Sequence, residues 1–215
     1  MKMYGNWRSA AAFRVRIALN LKGIAYEETF IDLDAGDQHQ PTFRAINPHG
    51  AVPAVFDGDG PALTQSLAIL DYLEDVYPEP ALLPKEPRAR ARARSLAQVV
   101  ACDTHPLYVP RVRNHLMEAY GVPRERMLDF VRHWFGTGLK SLETRLATEA
   151  GTGRYAQGDA VSHADLCLVS LWVGTGIFGV ETAPYPTVRR IAEACLAQDA
   201  FARAHPRRQP GAPAP

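Results

Sequence analysis

Over the first eighty residues the spacing of apolar positions changes from element to element, which marks alternating strands and helices. Lys2 to Tyr4 reads as a short strand, and Ser9 opens a helix to Leu21 with Phe13, Ile17 and Leu21 on one face, ended by Gly23. Tyr26 to Leu33 reads as a second strand, followed by a short helix. Ala51 to Phe56 and Ala62-Leu63 then read as two more strands around the turn Asp57-Gly58-Asp59-Gly60. Beyond Gln65-Ser66, the residues Ile69, Leu70, Leu73, Val76 and Tyr77 recur at three- and four-residue steps, the stripe of an amphipathic helix.

The alternation halts at Pro78, Pro80, Pro84 and Pro87, a density that excludes continuous secondary structure. Past these prolines the spacing is helical, near 88–118, 123–150, 162–175 and 186–203. The chain therefore reads as an α/β domain over 1–80, a linker over 81–87 and an all-α domain over 88–210. Residues 211–215 close a run of four prolines that starts at Pro206 and is not expected to fold.

Composition narrows the function classes. The chain has 215 residues with 24 Lys+Arg against 23 Asp+Glu and is 47% hydrophobic, so it can bury a core but carries no net field to gather nucleic acid or an anionic membrane. Apolar runs such as Leu166 to Val173 stop far short of the ~20 residues of a membrane span, and Met1 to Tyr4 leads into no signal-like segment. A soluble cytoplasmic protein is expected. Cys102, Cys167 and Cys195 form no CxxC pair and read as buried small hydrophobes, not as a disulfide framework or a metal site.

Three short motifs carry candidate chemistry. Ser9, between a strand and a helix, reads either as an N-cap or as a hydroxyl that stabilises a thiolate with help from the helix dipole. Val52-Pro53 stands at a strand edge, where a cis bond would turn the Val52 backbone toward a peptide-like ligand. Gln65-Ser66 opens a helix whose free N–H groups would hold a carboxylate or be capped internally. Ser162-His163-Ala164-Asp165 is a capping box with a structural role. Arg88, Arg90, Arg92 and Arg94 alternate onto two sides of a helix and read as a solvated or interface surface.

The fragments RSAAAFRVRIALNLKGI, NPHGAVPAV, TQSLAILDYLE, VSHADLCLV and HPRRQP resemble the zeta class of glutathione transferases, which includes maleylacetoacetate and maleylpyruvate isomerases. The resemblance runs from about Met3 to Pro210. It implies a thioredoxin-like α/β N-terminal domain followed by an all-α C-terminal domain, with glutathione as cosubstrate and a homodimer as the assembly. Ser9 resembles the family's thiol-activating serine, and Val52 with Pro53 its backbone clamp on the cysteinyl unit. Gln65 and Ser66 resemble the holders of the γ-glutamyl end, Gln38 and His39 lie in the loop near the glycine end, and His105 falls in the family's HPL segment.

Several positions depart from the family. Ala11 stands where many members have cysteine, Tyr108 and Val109 replace asparagines after HPL, and Ile177 matches a basic residue of some relatives. The implied activity is glutathione-dependent cis-trans isomerisation of a maleyl keto acid, as in aromatic amino-acid catabolism. Ser9 would activate the thiol, and Arg8 would receive the substrate carboxylate or enolate unless it is an ordinary ion pair. Arg111 and Arg113 are further cationic candidates. General conjugation, dehalogenation or peroxide reduction, and a noncatalytic binding member of the fold, are the alternatives.

Overall fold

The computed structural model describes residues 1–213 and separates into two compact units. Residues Met1–Leu82 with Ala197 onward form the first, and Leu83–Leu196 the second.

In the first unit, β1 (Lys2–Gly5), α1 (Ala10–Leu21), β2 (Glu27–Phe30), α2 (Pro41–Ile46), β3 (Ala54–Phe56), β4 (Leu63–Thr64) and α3 (Ser66–Val76) follow the expected order. The strands make one mixed sheet in the order β2-β1-β3-β4; β1 and β2 run parallel, and the other two pairings are antiparallel. This is the thioredoxin-like arrangement. β2 and β3 are shorter than the expected runs Tyr26 to Leu33 and Ala51 to Phe56, whereas β1 runs one residue past Tyr4 and β4 is shifted by one residue to Leu63–Thr64. Pro53 has no N–H to give a ladder, so β3 begins only at Ala54.

Helix α1 is buried on every side from Ala12 to Leu19, between the sheet and the helices α3 and α9 (Asp199–Ala204). Phe13 and Ile17 are in the core as the stripe requires, while Leu21 is half-buried. Arg14 and Arg16 are enclosed with them, at 1% and 0% exposure.

The proline-rich segment is anchored along its first half. The Lys22 ammonium donates to Glu74 Oε2 at 3.0 Å, to the Tyr77 carbonyl at 2.7 Å and to the Pro80 carbonyl at 2.9 Å, and the Leu82 N–H reaches both oxygens of Glu74. The first unit accordingly continues to Leu82.

The second unit comprises α4 (Pro87–Gln98), α5 (Pro110–Tyr120), α6 (Arg124–Thr148), α7 (His163–Phe178) and α8 (Pro186–Leu196); α4, α6 and α8 pack around α7, whose residues 163–171 are all buried, and α5 packs on α6. The helix expected over 88–118 is interrupted by a π turn at Val99–Thr104 and a 3-10 turn at His105–Leu107. Pro106 lacks the N–H to continue a helix, and Pro110 starts the next one. The helix expected over 186–203 is two, broken before Gln198, and the second packs on α1 of the first unit. Pro206–Arg208 makes a 3-10 turn, and the Gln209 amide donates to the carbonyls of Arg203 and His205, so the run from Pro206 is ordered where none was expected. Ala214 and Pro215 lie outside the described residues.

The capping box forms: Asp165 accepts from the Ser162 N–H, the Ser162 hydroxyl and the Ala156 N–H. Cys167 and Cys195 are buried, but Cys102 is exposed on the π turn. Burial and the Asp165 charge push the Cys195 thiol up, so it stays protonated. Arg92 is not a solvated cation. It donates to Glu149, to the Ala156 carbonyl at 2.7 Å, to Gln157 at 2.7 Å and to Thr152 at 2.8 Å, fastening the 149–158 loop; Arg88 and Arg94 do reach solvent.

Candidate active site

Sheet register brings the N-terminal candidates together. Gly5 ends β1 opposite Phe30, Tyr4 pairs with Ala54, and Ala54 pairs with Thr64. The segments that leave these four points are Asn6 to Ser9, Ile31 to His39, Ala51 to Pro53, and Gln65-Ser66. All emerge at the same end of the sheet, as the pairing of antiparallel and parallel strands dictates.

Ser9 is the N-cap of α1, and its Oγ accepts from the Ala12 N–H at 3.2 Å. With a lone pair used inward, the hydroxyl proton is left to donate outward. Both readings of Ser9 therefore describe one geometry. The turn that carries it is braced from below by Asn6, which is 2% exposed. The Asn6 carbonyl accepts from the Ser9 N–H at 3.1 Å and from Arg16 at 2.8 Å, its Oδ1 accepts from the Arg8 N–H at 3.1 Å, and its Nδ2 donates to the Ile31 carbonyl at 2.9 Å. Arg16 is in turn held by Glu28.

The Val52-Pro53 peptide bond is cis. Asn47, 5% exposed, shapes the approach to it by donating to the Ala51 carbonyl at 2.6 Å and accepting from the His49 N–H at 3.1 Å. Gln65 is exposed, with φ 67 and ψ 114, and makes no side-chain cap for α3. The first turn of that helix thus has no side-chain cap at its N-terminus, the electropositive end suited to an anion. Ser66 is buried there, and Arg14 donates to its Oγ at 3.3 Å.

In the loop before α2, Gln38 donates to the Leu33 carbonyl at 3.3 Å, while its buried Oε1 has no partner among the described residues. His39 is exposed, with Nδ1 3.4 Å from the Arg44 guanidinium. Gly50, at φ +63, lies against them so closely that a Cβ would stand 3.0 Å from the Gln38 carbonyl. A hydroxyl at one helix start, a second hydroxyl at an uncapped helix start and an orphaned amide oxygen suit a small peptide with a thiol and separated polar ends.

Arg8 forms an exposed ion pair with Asp34. His105 lies in the helical unit, its ring edge-on to Tyr108 at 5.1 Å. Arg111 is exposed, the Arg113 guanidinium stands 5.3 Å over the Phe178 ring, and Ile177 is 56% exposed. Among the described residues no three His, Cys, Asp or Glu gather as a metal site, and no helix is long and apolar enough to cross a membrane. The residues that sequence reasoning missed are Asn6, Arg14, Arg16 and Glu28. The available signal was Arg14-Val15-Arg16, two cations in a helix otherwise apolar from Ala10 to Leu19.

The thioredoxin-like unit and its sheet-end constellation define a glutathione transferase, and residues 1–75 match the family model of the glutathione S-transferase N-terminal domain. The chain is 41% identical to a maleylacetoacetate isomerase of Pseudomonas aeruginosa, covering 100% of both, and 40% identical to a maleylpyruvate isomerase of a Ralstonia species, covering 98% of this chain and 99% of the relative. Among solved structures it is similar to maleylacetoacetate isomerase from Methylobacterium extorquens with bound malonate and glutathione, at 80% identity, full coverage of both chains and TM-score 0.98. It is also similar to a holo maleylpyruvate isomerase described as a zeta-class bacterial glutathione S-transferase, at 39% identity, 99% and 100% coverage and TM-score 0.96. The chain belongs to the zeta-class glutathione transferases, the family of the maleylacetoacetate and maleylpyruvate isomerases.

Proposed function

We propose that this protein is a glutathione-dependent cis-trans isomerase of a maleyl keto acid, maleylacetoacetate or maleylpyruvate. The observation that carries the reading is the convergence of Ser9, Val52-Pro53, Gln65-Ser66 and Gln38-His39 at one sheet end, in a chain similar over its full length to isomerases of these acids. Bound glutathione would supply a thiolate that adds reversibly to the activated double bond, so that rotation can occur before it leaves.

The chain's own residues then divide the work. Ser9 donates its hydroxyl proton to the thiolate at the start of α1, where the dipole also favours the anion. The Val52 backbone holds the cysteinyl unit, Gln65 and Ser66 with the first turn of α3 hold the γ-glutamyl carboxylate, and Gln38 with His39 receives the glycyl end. Arg8 exchanges Asp34 for a substrate carboxylate and meets the charge that develops on the conjugated carbonyl. Ala11 cannot form a mixed disulfide, which disfavours redox versions of the reaction.

A cytoplasmic homodimer completes the proposal, with α3 and its half-exposed Val76 contributing to the partner contact. The test is direct. Purified protein with glutathione is expected to isomerise maleylacetoacetate or maleylpyruvate faster than it conjugates aryl halides or reduces peroxides. Activity on the latter alone would replace this reading with general transferase chemistry, and glutathione binding without turnover would make the protein a binding member of the fold.

A further inference from the structure

Residues 205–211 belong to the unit that carries Ser9 and press on it at two places. The His205 ring stands edge-on to Phe13, with centroids 6.2 Å apart. Phe13 is 1% exposed, and its N–H closes the first turn of α1 on the Ser9 carbonyl at 2.9 Å. Gly211 lies against the Phe30 ring so closely that a Cβ would stand 2.6 Å from it, at a φ of +81 that glycine adopts without strain. Phe30 ends β2, and the next residue, Ile31, gives its N–H to the Gly5 carbonyl at 2.8 Å and accepts from the Asn6 side chain at 2.9 Å. One contact therefore bears on the helix that leaves the Ser9 turn, and the other on the strand end to which that turn is tied.

Between the two contacts the segment is braced from within. Pro206 is buried, the Arg207 N–H donates to His205 Nδ1 at 3.3 Å, and Gln209 Nε2 donates to the Arg203 and His205 carbonyls at 2.7 and 3.0 Å. Just before it, Asn20 of α1 donates to the Ala200 carbonyl at 2.9 Å, and Phe201 is fully buried. We propose that residues 205–211 are a strap that positions Ser9 for thiol activation, with His205 and Gly211 as the positioning residues. Close-packed interiors transmit displacement, so a strap seated on both Phe13 and Phe30 sets the first turn of α1 relative to the ends of β1 and β2. A donor displaced by about 1 Å from its acceptor can cost on the order of 100-fold in rate. The strap acts without touching the ligand, and the inference rests on the glutathione reading above.

Three full-length variants test it. Gly211→Ala lifts the strap from Phe30, His205→Ala withdraws the ring from Phe13, and His205→Phe keeps a ring there. In the two alanine variants kcat for isomerisation is expected to fall about tenfold, and its pH profile to move upward as Ser9 stabilises the thiolate less well. Glutathione affinity by calorimetry should stay within about twofold, and His205→Phe should recover most of the rate. Amide hydrogen exchange on the unliganded protein reads the strap without turnover: the Ser9, Phe13 and Ile31 N–H groups are expected to exchange faster in the alanine variants, while those of α3 hold their rates. An unmoved kcat and pH profile, a loss confined to glutathione affinity, exchange that quickens throughout the unit, or His205→Phe as slow as His205→Ala would overturn the proposal. If the unaltered protein binds no glutathione, the reading above falls, and the exchange rates alone decide whether the strap holds the turn.

Discussion

Arg16 donates to both carboxylate oxygens of Glu28, at 2.7 and 2.5 Å, with the two side chains 0% and 8% exposed. The pair exists because β1 ends in a glycine: a Cβ on Gly5 would fall 2.1 Å from Glu28 Oε1. Its output is the remaining Arg16 bond to the Asn6 carbonyl, the atom that also accepts the Ser9 N–H. A buried ion pair thus sets the turn from which the candidate thiol-activating hydroxyl projects.

Breaking that pair from one side leaves a buried charge. Glu28→Met is expected to cost about 3–5 kcal/mol in urea unfolding, because Arg16 stays enclosed without its counter-ion. Gly5→Ala is expected to cost about 1–3 kcal/mol by driving the carboxylate from its place. Replacing the pair jointly, Arg16→Met with Glu28→Met, should recover much of the loss. A double variant as unstable as the sum of the singles would refute the account.

Ser9→Ala removes the N-cap of α1 together with the proposed thiolate donor, and the two effects have different readouts. Chemical unfolding is expected to show a loss of ~0.5–2 kcal/mol from the cap. The pH profile of turnover should shift upward, because the bound thiolate loses a stabilising hydrogen bond, while glutathione affinity changes little. An unmoved profile would leave Ser9 with capping alone.

Much of this site was legible in the chain, and the reason is physical. Ser9, Val52-Pro53 and Gln65-Ser66 all stand where an element begins, and residue types at such points advertise their backbone needs. Strand and helix order followed from period changes for the same reason. The supports were hidden, since Arg14, Arg16 and Glu28 are charged residues that composition places on the surface. Only the packing of α1 against α3 and the sheet shows that they are enclosed and paired. The break at Gln198 was equally unreadable, because apolar spacing continues across it while the chain crosses from one unit to the other.

Gln65 carries the one positive φ found outside glycine among the described residues, at 67°. Gln65→Gly is expected to relieve that conformation and raise stability by about 1 kcal/mol while weakening glutathione binding. Gln65→Ala loses the same side chain without the relief, so it should weaken binding with no gain in thermal midpoint. Identical thermal midpoints for the two variants would show that the backbone there is unstrained.

Asp165 gives stability a pH dependence of a definite sign. Burial raises its carboxyl to about 6, against the three N–H and O–H donors that favour the charge. The unfolded chain releases this proton near ~4, so between about 4 and 6 the folded state binds more protons. This group's contribution therefore falls as pH rises through that window, by at most about 1.4 kcal/mol per pH unit. Asp165→Asn should abolish that component and lose the carboxylate acceptors of the box. The stability gap between the native protein and Asp165→Asn is expected to be wider at pH 5 than at pH 7, and a gap that narrows on acidification would reverse the assignment.

Arg8 and Asp34 supply the sharpest test of substrate choice. In the structure the guanidinium is paired with a carboxylate that is itself 73% exposed, and such surface pairs contribute little to stability. Breaking it for a substrate carboxylate is therefore cheap, and Asp34 competes with that substrate for the same cation. Asp34→Asn is expected to lower KM for a maleyl keto acid severalfold with little change in stability. Arg8→Met is expected to raise KM and lower kcat together, since the cation serves both the bound carboxylate and the developing negative charge. Conjugation of an uncharged electrophile has no carboxylate to place and should respond weakly to either change. If Asp34→Asn leaves KM untouched while Arg8→Met impairs charged and uncharged substrates alike, Arg8 acts on the Ser9 turn rather than on the substrate, and the carboxylate must be met by another cation, with Arg113 over Phe178 the next to replace.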